Sequence, residues 1–274
     1  MQYILSRASR PVLEELAAGN TLCAFDFDGT LAPIVDHPML ALLRPRTKQL
    51  LSSLARVYPC AVLSGRSRAD LRQMLLGTGI QELAGNHGAE ISGSPERAVR
   101  RDIARWVTAI EEAISPMDGV WIEDKGLSIA VHFRAQPNKR EVRVRVARAA
   151  ASLNGVRVFG GKQVVNLVPI GAPHKGEALT VARDRLGCER ILYVGDDVND
   201  EDAFALGGAA VSIRVGKSKH SKARYFLRYQ SEVDKLLETL LSLRASQGHP
   251  ERAGHSFSAR NSLHSGMAEK PGGS

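Results

Sequence analysis

Two aspartates at the end of an apolar run constrain the fold of this chain more than any other feature. Residues 22–25 are apolar, Asp26 follows them directly, and Asp28 comes two residues later, just before Gly29. An apolar run of this length before a glycine predicts a buried strand. The carboxyl end of such a strand is where open α/β sheets bind ligands.

The spacing of the two carboxylates predicts a bound cation. Residues two apart in an extended chain point the same way, so Asp26 and Asp28 repel each other unless positive charge lies between them. Mg²⁺ is held by one or two carboxylates together with phosphate oxygens. An ordinary Asp-Gly turn that caps the next segment is the alternative interpretation.

Two later segments supply groups that a phosphoryl site needs. Ser64 and Gly65 follow the apolar run 61–63, where a hydroxyl and backbone N–H groups can hold a phosphate oxygen. Lys175 opens an amphipathic segment, and a lysine at a helix start opposes the helix dipole unless an anion lies nearby. A loop serine and a solvated lysine remain the simpler explanations when each residue is taken alone.

A cluster of acids follows a third apolar run, residues 191–194. Five acids stand within the seven residues 196–202. Glu201 and Asp202 are explained by the preference of a helix dipole for acids in the first turn. That explanation does not account for Asp196 and Asp197 at the strand end, so these acids predict a metal site.

The pattern along the chain predicts an α/β fold, with a doubly wound parallel-sheet (Rossmann-like) core and an inserted α+β cap domain. Strands and helices alternate over residues 21–92 and 174–215, whereas two hairpin patterns and two helical stretches lie between them. We therefore expect a core of residues 1–92 and 172–245 and a cap of residues 93–171. The apolar-poor segment 246–274 is expected to be disordered.

The composition favours a soluble enzyme of the cytoplasm. The chain has 274 residues and a formal net charge of +8, but its basic residues are spread out, so we expect no nucleic-acid binding. A positive field also steers an anionic substrate. No apolar run approaches the about 20 residues that cross a bilayer, and no signal-peptide core is present. Cys23, Cys60 and Cys188 lie beside apolar segments, which indicates buried thiols in a reducing compartment.

The motifs together resemble a known family. Asp-Phe-Asp-Gly-Thr-Leu at 26–31 and Gly-Asp-Asp-x-x-Asp at 195–200 resemble the nucleophile and metal motifs of the haloacid dehalogenase superfamily. The strings at 85–90, 123–126, 132–134, 175–179 and 195–204 resemble the trehalose-6-phosphate phosphatase family. The resemblance extends from residue 21 to about residue 245.

The resemblance implies a role for each matching residue. Asp26 is then the nucleophile, Asp28 the general acid and base, and Lys175 their cationic partner, through an aspartyl-phosphate intermediate. The expected phosphate contacts are Ser64, Gly65, Thr30 and Lys175. The expected Mg²⁺ ligands are Asp26, Asp28 through its backbone carbonyl, Asp196 and Asp200, although Asp200 also suits holding Lys175 or a water. The expected substrate contacts are Arg66, Glu123, Lys125, His132, Arg134 and Asn166.

One departure from the family bears on the substrate, which is expected to be trehalose 6-phosphate bound to a monomer. Asn166 stands where the family usually has a glutamate, and asparagine keeps hydrogen bonding without the charge. A phosphatase for glucosyl-3-phosphoglycerate or sucrose phosphate therefore stays open, as does a phosphomutase. His132 and Arg134 are equally consistent with exposed strand residues, since they alternate with apolar neighbours.

Overall fold

The computed structural model describes residues 1–35, 40–91, 97–161, 163–208 and 210–248. The strands are β1 Gln2–Tyr3, β2 Thr21–Phe25, β3 Cys60–Leu63, β4 Glu82–Ala84, β5 Trp121–Asp124, β6 Ile129–His132, β7 Val156–Gly161, β8 Val164–Pro169, β9 Arg190–Gly195, β10 Ala210–Val215 and β11 Tyr225–Leu227. The helices are α1 Arg10–Ala18, α2 Pro45–Val57, α3 Arg68–Met74, α4 Arg97–Ile114, α5 Lys139–Ala151, α6 Lys175–Arg185, α7 Glu201–Phe204 and α8 Glu232–Ser246.

Seven strands form a parallel sheet in the order β1-β11-β10-β9-β2-β3-β4. The two central strands pair directly, with Phe25 opposite Val194, and β3 lies on the other side of β2. Four further strands form a separate antiparallel sheet in the order β5-β6-β8-β7. The predicted fold class is therefore confirmed.

Strand β2 is buried along its whole length and β9 from Ile191 onward, because helices cover both faces of the sheet. Cys23 and Phe25 of β2 point into a core shared with α1, α2 and α8. Leu22 and Ala24 point to the opposite face, where α6 and α7 pack. This alternation follows from the two-residue period of a strand. It also determines the face of the sheet to which the first residue after β2 points.

The antiparallel sheet has a third core of its own, closed by α4 and α5. Val131 and Val165 from neighbouring strands pack there against Trp106 and Val146 of the two helices. Both predicted hairpins are present. The first begins its second strand at Ile129, since Lys125 N–H donates to the Ser128 carbonyl and closes a turn. In the second hairpin, the first strand extends to Gly161, which pairs with Val164.

The remaining expectations concern the domain bounds, the cysteines and helices that could cross a membrane. The predicted junction at 92–93 lies outside the described residues, as do residues 249–274 of the predicted tail 246–274, whereas Ser246 ends α8. The division into core and cap stays a prediction. Cys23, Cys60 and Cys188 are buried and form no disulfide among the described residues. Among the described helices, none combines the length and apolarity that crossing a bilayer requires.

Candidate active site

The carboxyl ends of β2, β3 and β9 bring the predicted core residues together at one edge of the parallel sheet. Asp26 follows β2 and Asp196 follows β9, and the Asp26 N–H donates to the Val194 carbonyl at 2.8 Å. Ser64 follows β3, and its N–H donates to the Ala84 carbonyl at 2.9 Å. Parallel pairing thus continues one residue beyond the strands and fixes where each side chain begins.

Lys175 connects two of the acids. Its Nζ lies 2.6 Å from Asp26 Oδ1 and 2.6 Å from Asp200 Oδ1, and the lysine is 1 % exposed. Burial by itself lowers the pKa of Lys175, but Asp200 and Asp26 outweigh that effect and raise the pKa above its ordinary value. The ammonium group therefore stays charged and neutralises part of the cluster.

The start of α6 is fixed by a reciprocal cap, which places Lys175 in the first turn. The His174 ring accepts hydrogen bonds from the N–H groups of Gly176 and Glu177. The Glu177 carboxylate accepts one in return from the His174 N–H at 3.1 Å. Such reciprocal caps satisfy the free N–H groups of a helix start, so the lysine faces the acids instead of solvent.

Asp200 has every acceptor position in use. Its Oδ1 accepts from Lys175 and from the Tyr193 hydroxyl at 2.7 Å, and its Oδ2 accepts from the N–H groups of Asp196 and Asp197 at 2.8 and 2.9 Å. Burial alone raises the pKa of Asp200, but Lys175 and these hydrogen bonds outweigh it and lower the pKa. The arrangement holds both Lys175 and the loop that carries Asp196.

The acid cluster suits a hard divalent cation. One carboxylate oxygen from each of Asp26, Asp196 and Asp200 lies within 4.8 Å of the others. Burial raises the pKa of Asp26 well above its ordinary value, since the attraction of Lys175 does not offset it and neighbouring Asp200 and Asp196 add to it. A bound cation would favour the ionised form, and oxygen donors of this kind suit Mg²⁺.

Gly29 makes room for this cluster. Its φ is +85°, and a Cβ built there would overlap the carboxylate of Asp196. A left-handed backbone and the absence of a side chain are both needed at this position. The Asp-Gly pair of the sequence is therefore a turn and part of the site at once.

Two hydrogen bonds join Arg66 to Asp28. Its guanidinium donates from Nε to Asp28 Oδ2 at 2.7 Å and from Nη2 to Asp28 Oδ1 at 2.6 Å. The arginine is 7 % exposed and lies over the Phe27 ring, 5.3 Å from its centroid. It lines the cavity as expected of a substrate contact, but its hydrogen bonds hold the side chain of Asp28.

The predicted phosphate contacts divide into two groups. Ser64 and Gly65 line the cavity beside Asp26, and Ser64 Oγ accepts from the Arg66 N–H at 3.2 Å. Thr30 is fully buried, and its hydroxyl has no hydrogen-bond partner among the described residues. It stands outside the set of residues that line this cavity.

A cavity of about 470 Å³ lies between the acid cluster and the antiparallel sheet. All five residues predicted for the cap line it, namely Glu123, Lys125, His132, Arg134 and Asn166. His132 Nε2 lies 2.8 Å from Glu123 Oε2. Burial raises the pKa of Glu123, but His132 and Lys125 outweigh burial, so the pKa lies below its ordinary value. The cavity wall thus offers both donors and acceptors.

Sequence reasoning assigned no role to several residues that line the cavity, among them Trp121, His87 and Asn199. Trp121 stacks on His132 with ring centroids 4.0 Å apart, and its place at the start of β5 gave no chemical signal. His87 and Asn199 lie inside the strings 85–90 and 195–204, so the motifs contained them without pointing to them. Burial, together with Lys125 and Lys175, lowers the pKa of His87 well below its ordinary value, so its ring is neutral.

Comparison with known proteins shows a consistent pattern of similarity. A family model described as trehalose-phosphatase matches residues 24–231. A trehalose-phosphate phosphatase of Mycobacterium tuberculosis is 35% identical over 207 residues, which cover 70% of this chain and 53% of that protein. An uncharacterized glycosyl hydrolase of the same organism is 33% identical over 238 residues, 80% of this chain and 18% of that protein.

Solved structures agree on the architecture. The C-terminal domain of a C. albicans trehalose-6-phosphate phosphatase superposes with a TM-score of 0.72 at 23% identity, covering 85% of this chain and 96% of that one. Such a likeness shows the fold alone. The chain spans about half the length of the curated phosphatase that it matches and about a fifth of the glycosyl hydrolase.

Proposed function

This chain belongs to the trehalose-phosphatase family, and from that premise we propose that it hydrolyses trehalose 6-phosphate to trehalose and phosphate. One observation carries the proposal. A buried carboxylate held by a lysine, Asp26 with Lys175, faces a cavity whose far wall is polar and belongs to the antiparallel sheet. A phosphate ester of a sugar needs both surfaces, because its two ends differ in charge and in hydrogen bonding.

The first step of the proposed reaction forms an ester on the protein. Asp26 attacks phosphorus, a new O–P bond forms, and the bond from phosphorus to the sugar oxygen breaks. Asp28 donates a proton to that leaving oxygen. Lys175 and Ser64 hold the other phosphoryl oxygens, where fixed donors stabilise the charge that develops.

The second step regenerates the protein. Asp28, now a carboxylate, takes a proton from a water molecule that attacks the phosphorus of the aspartyl-phosphate. The O–P bond to Asp26 breaks, inorganic phosphate leaves, and Asp28 is again protonated. The same side chain therefore serves as acid and then as base, as microscopic reversibility requires.

We propose Mg²⁺ as the cation of the acid cluster. The carboxylates of Asp26 and Asp196 and the backbone carbonyl of Asp28 would hold it, and when bound it neutralises negative charge on the transferring phosphoryl group. Asp200 suits a direct contact less well, because a metal bond there would displace one of its four hydrogen-bond donors. Its proposed part is to hold Lys175 and the Asp196 loop.

The antiparallel sheet supplies the proposed sugar contacts, with residues 93–171 acting as the cap over a core of 1–92 and 172–245. Glu123, Lys125, His132, Arg134 and Asn166 offer donors and acceptors to a polyhydroxyl ligand. Asn166 has no charge, which keeps another sugar phosphate, such as sucrose phosphate or glucosyl-3-phosphoglycerate, as the second candidate substrate. We further propose a cytoplasmic monomer, in keeping with its buried cysteines, which form no disulfide among the described residues.

The test is phosphate release from trehalose 6-phosphate with Mg²⁺ and then with EDTA. Sucrose 6-phosphate, glucosyl-3-phosphoglycerate and glucose 6-phosphate are assayed in parallel, and Asp26→Asn is the inactive control. Mg²⁺-dependent release from the trehalose ester alone is the expected result. Release from a different ester would move the substrate, and isomer formation without free phosphate would indicate a mutase.

A further inference from the structure

A strained turn follows β4 beside the cavity. Asn86 has φ +48° and His87 has φ +59°, and two consecutive residues other than glycine are rarely left-handed. Asparagine tolerates this conformation better than most residues. Strain of this kind persists only where the surroundings hold it, so the contacts of the turn matter.

Asn86 follows a strand of the parallel sheet, but its side chain is held by hydrogen bonds to the antiparallel sheet. Its Oδ1 accepts from Ser128 Oγ at 2.5 Å, and its Nδ2 donates to the Lys125 carbonyl at 3.3 Å. Asn86 and Ser128 are each 1 % exposed. Both partners belong to the turn between β5 and β6, so these hydrogen bonds join the two sheets.

The same turn makes a second contact across the gap. Lys125 Nζ donates to the Gly65 carbonyl at 2.8 Å and lies 3.6 Å from Glu123 Oε2. Gly65 directly follows Ser64 in the loop after β3. The backbone of Lys125 is thus fixed by Asn86, while its side chain reaches the loop that lines the acid cluster.

We propose that Asn86 is a positioning residue that holds the β5–β6 turn closed over the cavity and sets where Lys125 and Glu123 meet the ligand. It acts through those two side chains and has no contact with the reacting atoms. The proposal rests on the proposed function, since it assumes a substrate large enough to span both sheets. A small phosphate ester that reaches only the acid cluster should not depend on this contact.

The test uses variants that spare the backbone. Asn86→Gly removes the side chain, and glycine adopts a positive φ readily. Ser128→Ala removes the opposing hydroxyl, and the double variant completes a cycle. We expect each single variant to lower kcat/KM for trehalose 6-phosphate about tenfold, roughly the value of one buried hydrogen bond, and to leave phenyl phosphate hydrolysis within about twofold. The double variant should lose little more than either single variant.

Two results would overturn the proposal. Equal losses on both esters would indicate a structural role, and an unchanged kcat/KM for the disaccharide ester would remove the role altogether. Asn86→Asp is the conservative comparison, because it keeps an acceptor for Ser128 and loses the donor to Lys125. It should retain part of the activity on the disaccharide ester.

A measurement without substrate separates this proposal from the proposed function. Amide hydrogen exchange in the turn 125–128 should be faster in Asn86→Gly than in the wild-type protein, with exchange in β2 and β9 unchanged. Unchanged exchange in the turn would overturn the inference. If the wild-type protein releases no phosphate from trehalose 6-phosphate, the proposed function fails while the exchange result still decides the role of Asn86.

Discussion

Arg66 grips Asp28 with two parallel hydrogen bonds, of 2.7 Å from Nε and 2.6 Å from Nη2. A fork of this kind fixes both the position and the plane of a carboxylate. Both oxygens of Asp28 accept from the guanidinium, so Arg66 orients the carboxyl group that we propose as general acid and base.

Replacing Arg66 tests this relationship. Arg66→Ala should lower kcat about a hundredfold, because a poorly oriented general acid loses much of its contribution. Arg66→Lys should recover part of the loss, since it restores charge without the two-point grip. Steady-state kinetics on the disaccharide ester measure both, and Arg56→Ala, at an exposed site on α2, is the control. Equal activity in the alanine and lysine variants would contradict the orienting role.

Replacing Lys175 should expose the charge balance of the acid cluster. Lys175→Met leaves three buried carboxylates without their cation, which costs about 3–5 kcal/mol of unfolding free energy. Mg²⁺ should raise the melting temperature more in this variant than in the wild-type protein, because the cation then offsets the missing ammonium. Thermal unfolding with and without Mg²⁺ measures the difference, and Lys235→Met, at an exposed position, should show no such change. An equal Mg²⁺ effect in all three proteins would argue against metal binding here.

The Gly29 position should be sensitive to a single methyl group. Gly29→Ala places a Cβ on the Asp196 carboxylate, so we expect Mg²⁺ affinity to fall about ten- to a hundredfold, as for other groups that orient a ligand. Gly187→Ala is a matched control, since Gly187 has φ +64° and no neighbour within 4 Å of the added atom. Calorimetric titration with Mg²⁺ compares the two variants. If Gly29→Ala and Gly187→Ala bound Mg²⁺ with similar affinity, the overlap with the Asp196 carboxylate would have no effect on the cation site.

His87 should make stability depend on pH. Burial, together with Lys125 and Lys175, lowers the pKa of His87 well below 6.5. The ring therefore stays unprotonated in the folded protein, whereas in the unfolded chain it binds a proton below pH 6.5. Stability is present above that value and is lost as pH falls. Between pH 7.5 and 5.5, the wild-type protein should lose about 1.4 kcal/mol more than His87→Gln. Urea unfolding at both pH values measures this, and parallel losses would refute it.

Tyr193 should matter through its hydroxyl alone. Tyr193→Phe removes one of the two donors to Asp200 Oδ1 and keeps the ring beside Phe204. We expect kcat to fall about tenfold, the usual effect of one buried hydrogen bond to a charged group, with little change in KM. Kinetics and thermal unfolding together distinguish this from a loss of packing, which would lower the melting temperature first.

The sequence was most informative where a residue directly follows a strand. Asp26, Ser64 and Asp196 could be placed because parallel strands end at a common edge, and the backbone leaves little freedom one residue later. Arg66 and Thr30 are three and five residues beyond their strands, and their side-chain directions depend on loop geometry that periodicity does not encode. Arg66 consequently lies on Asp28, and Thr30 lies away from the cavity.

The contacts between the two sheets were beyond sequence reasoning for a different reason. Asn86 and Ser128 are far apart in the chain, and each is an ordinary polar residue in its own turn. Their pairing depends on how one sheet sits over the other. Local propensity carries no information about that placement, whereas alternation and turn residues were enough to predict that both hairpins are present.

The pairing of β2 with β9 at the centre of the parallel sheet also has a consequence during synthesis. β2 is made before the antiparallel sheet, and its partner β9 emerges from the ribosome only after that whole sheet has been made. Closing so long a loop is slow, so the nascent chain carries a largely apolar strand with one unpaired edge while the antiparallel sheet is being synthesised. Chaperone dependence and aggregation should therefore be governed by this interval, and variants that slow the folding of β5–β8 should reduce soluble yield without altering the finished enzyme.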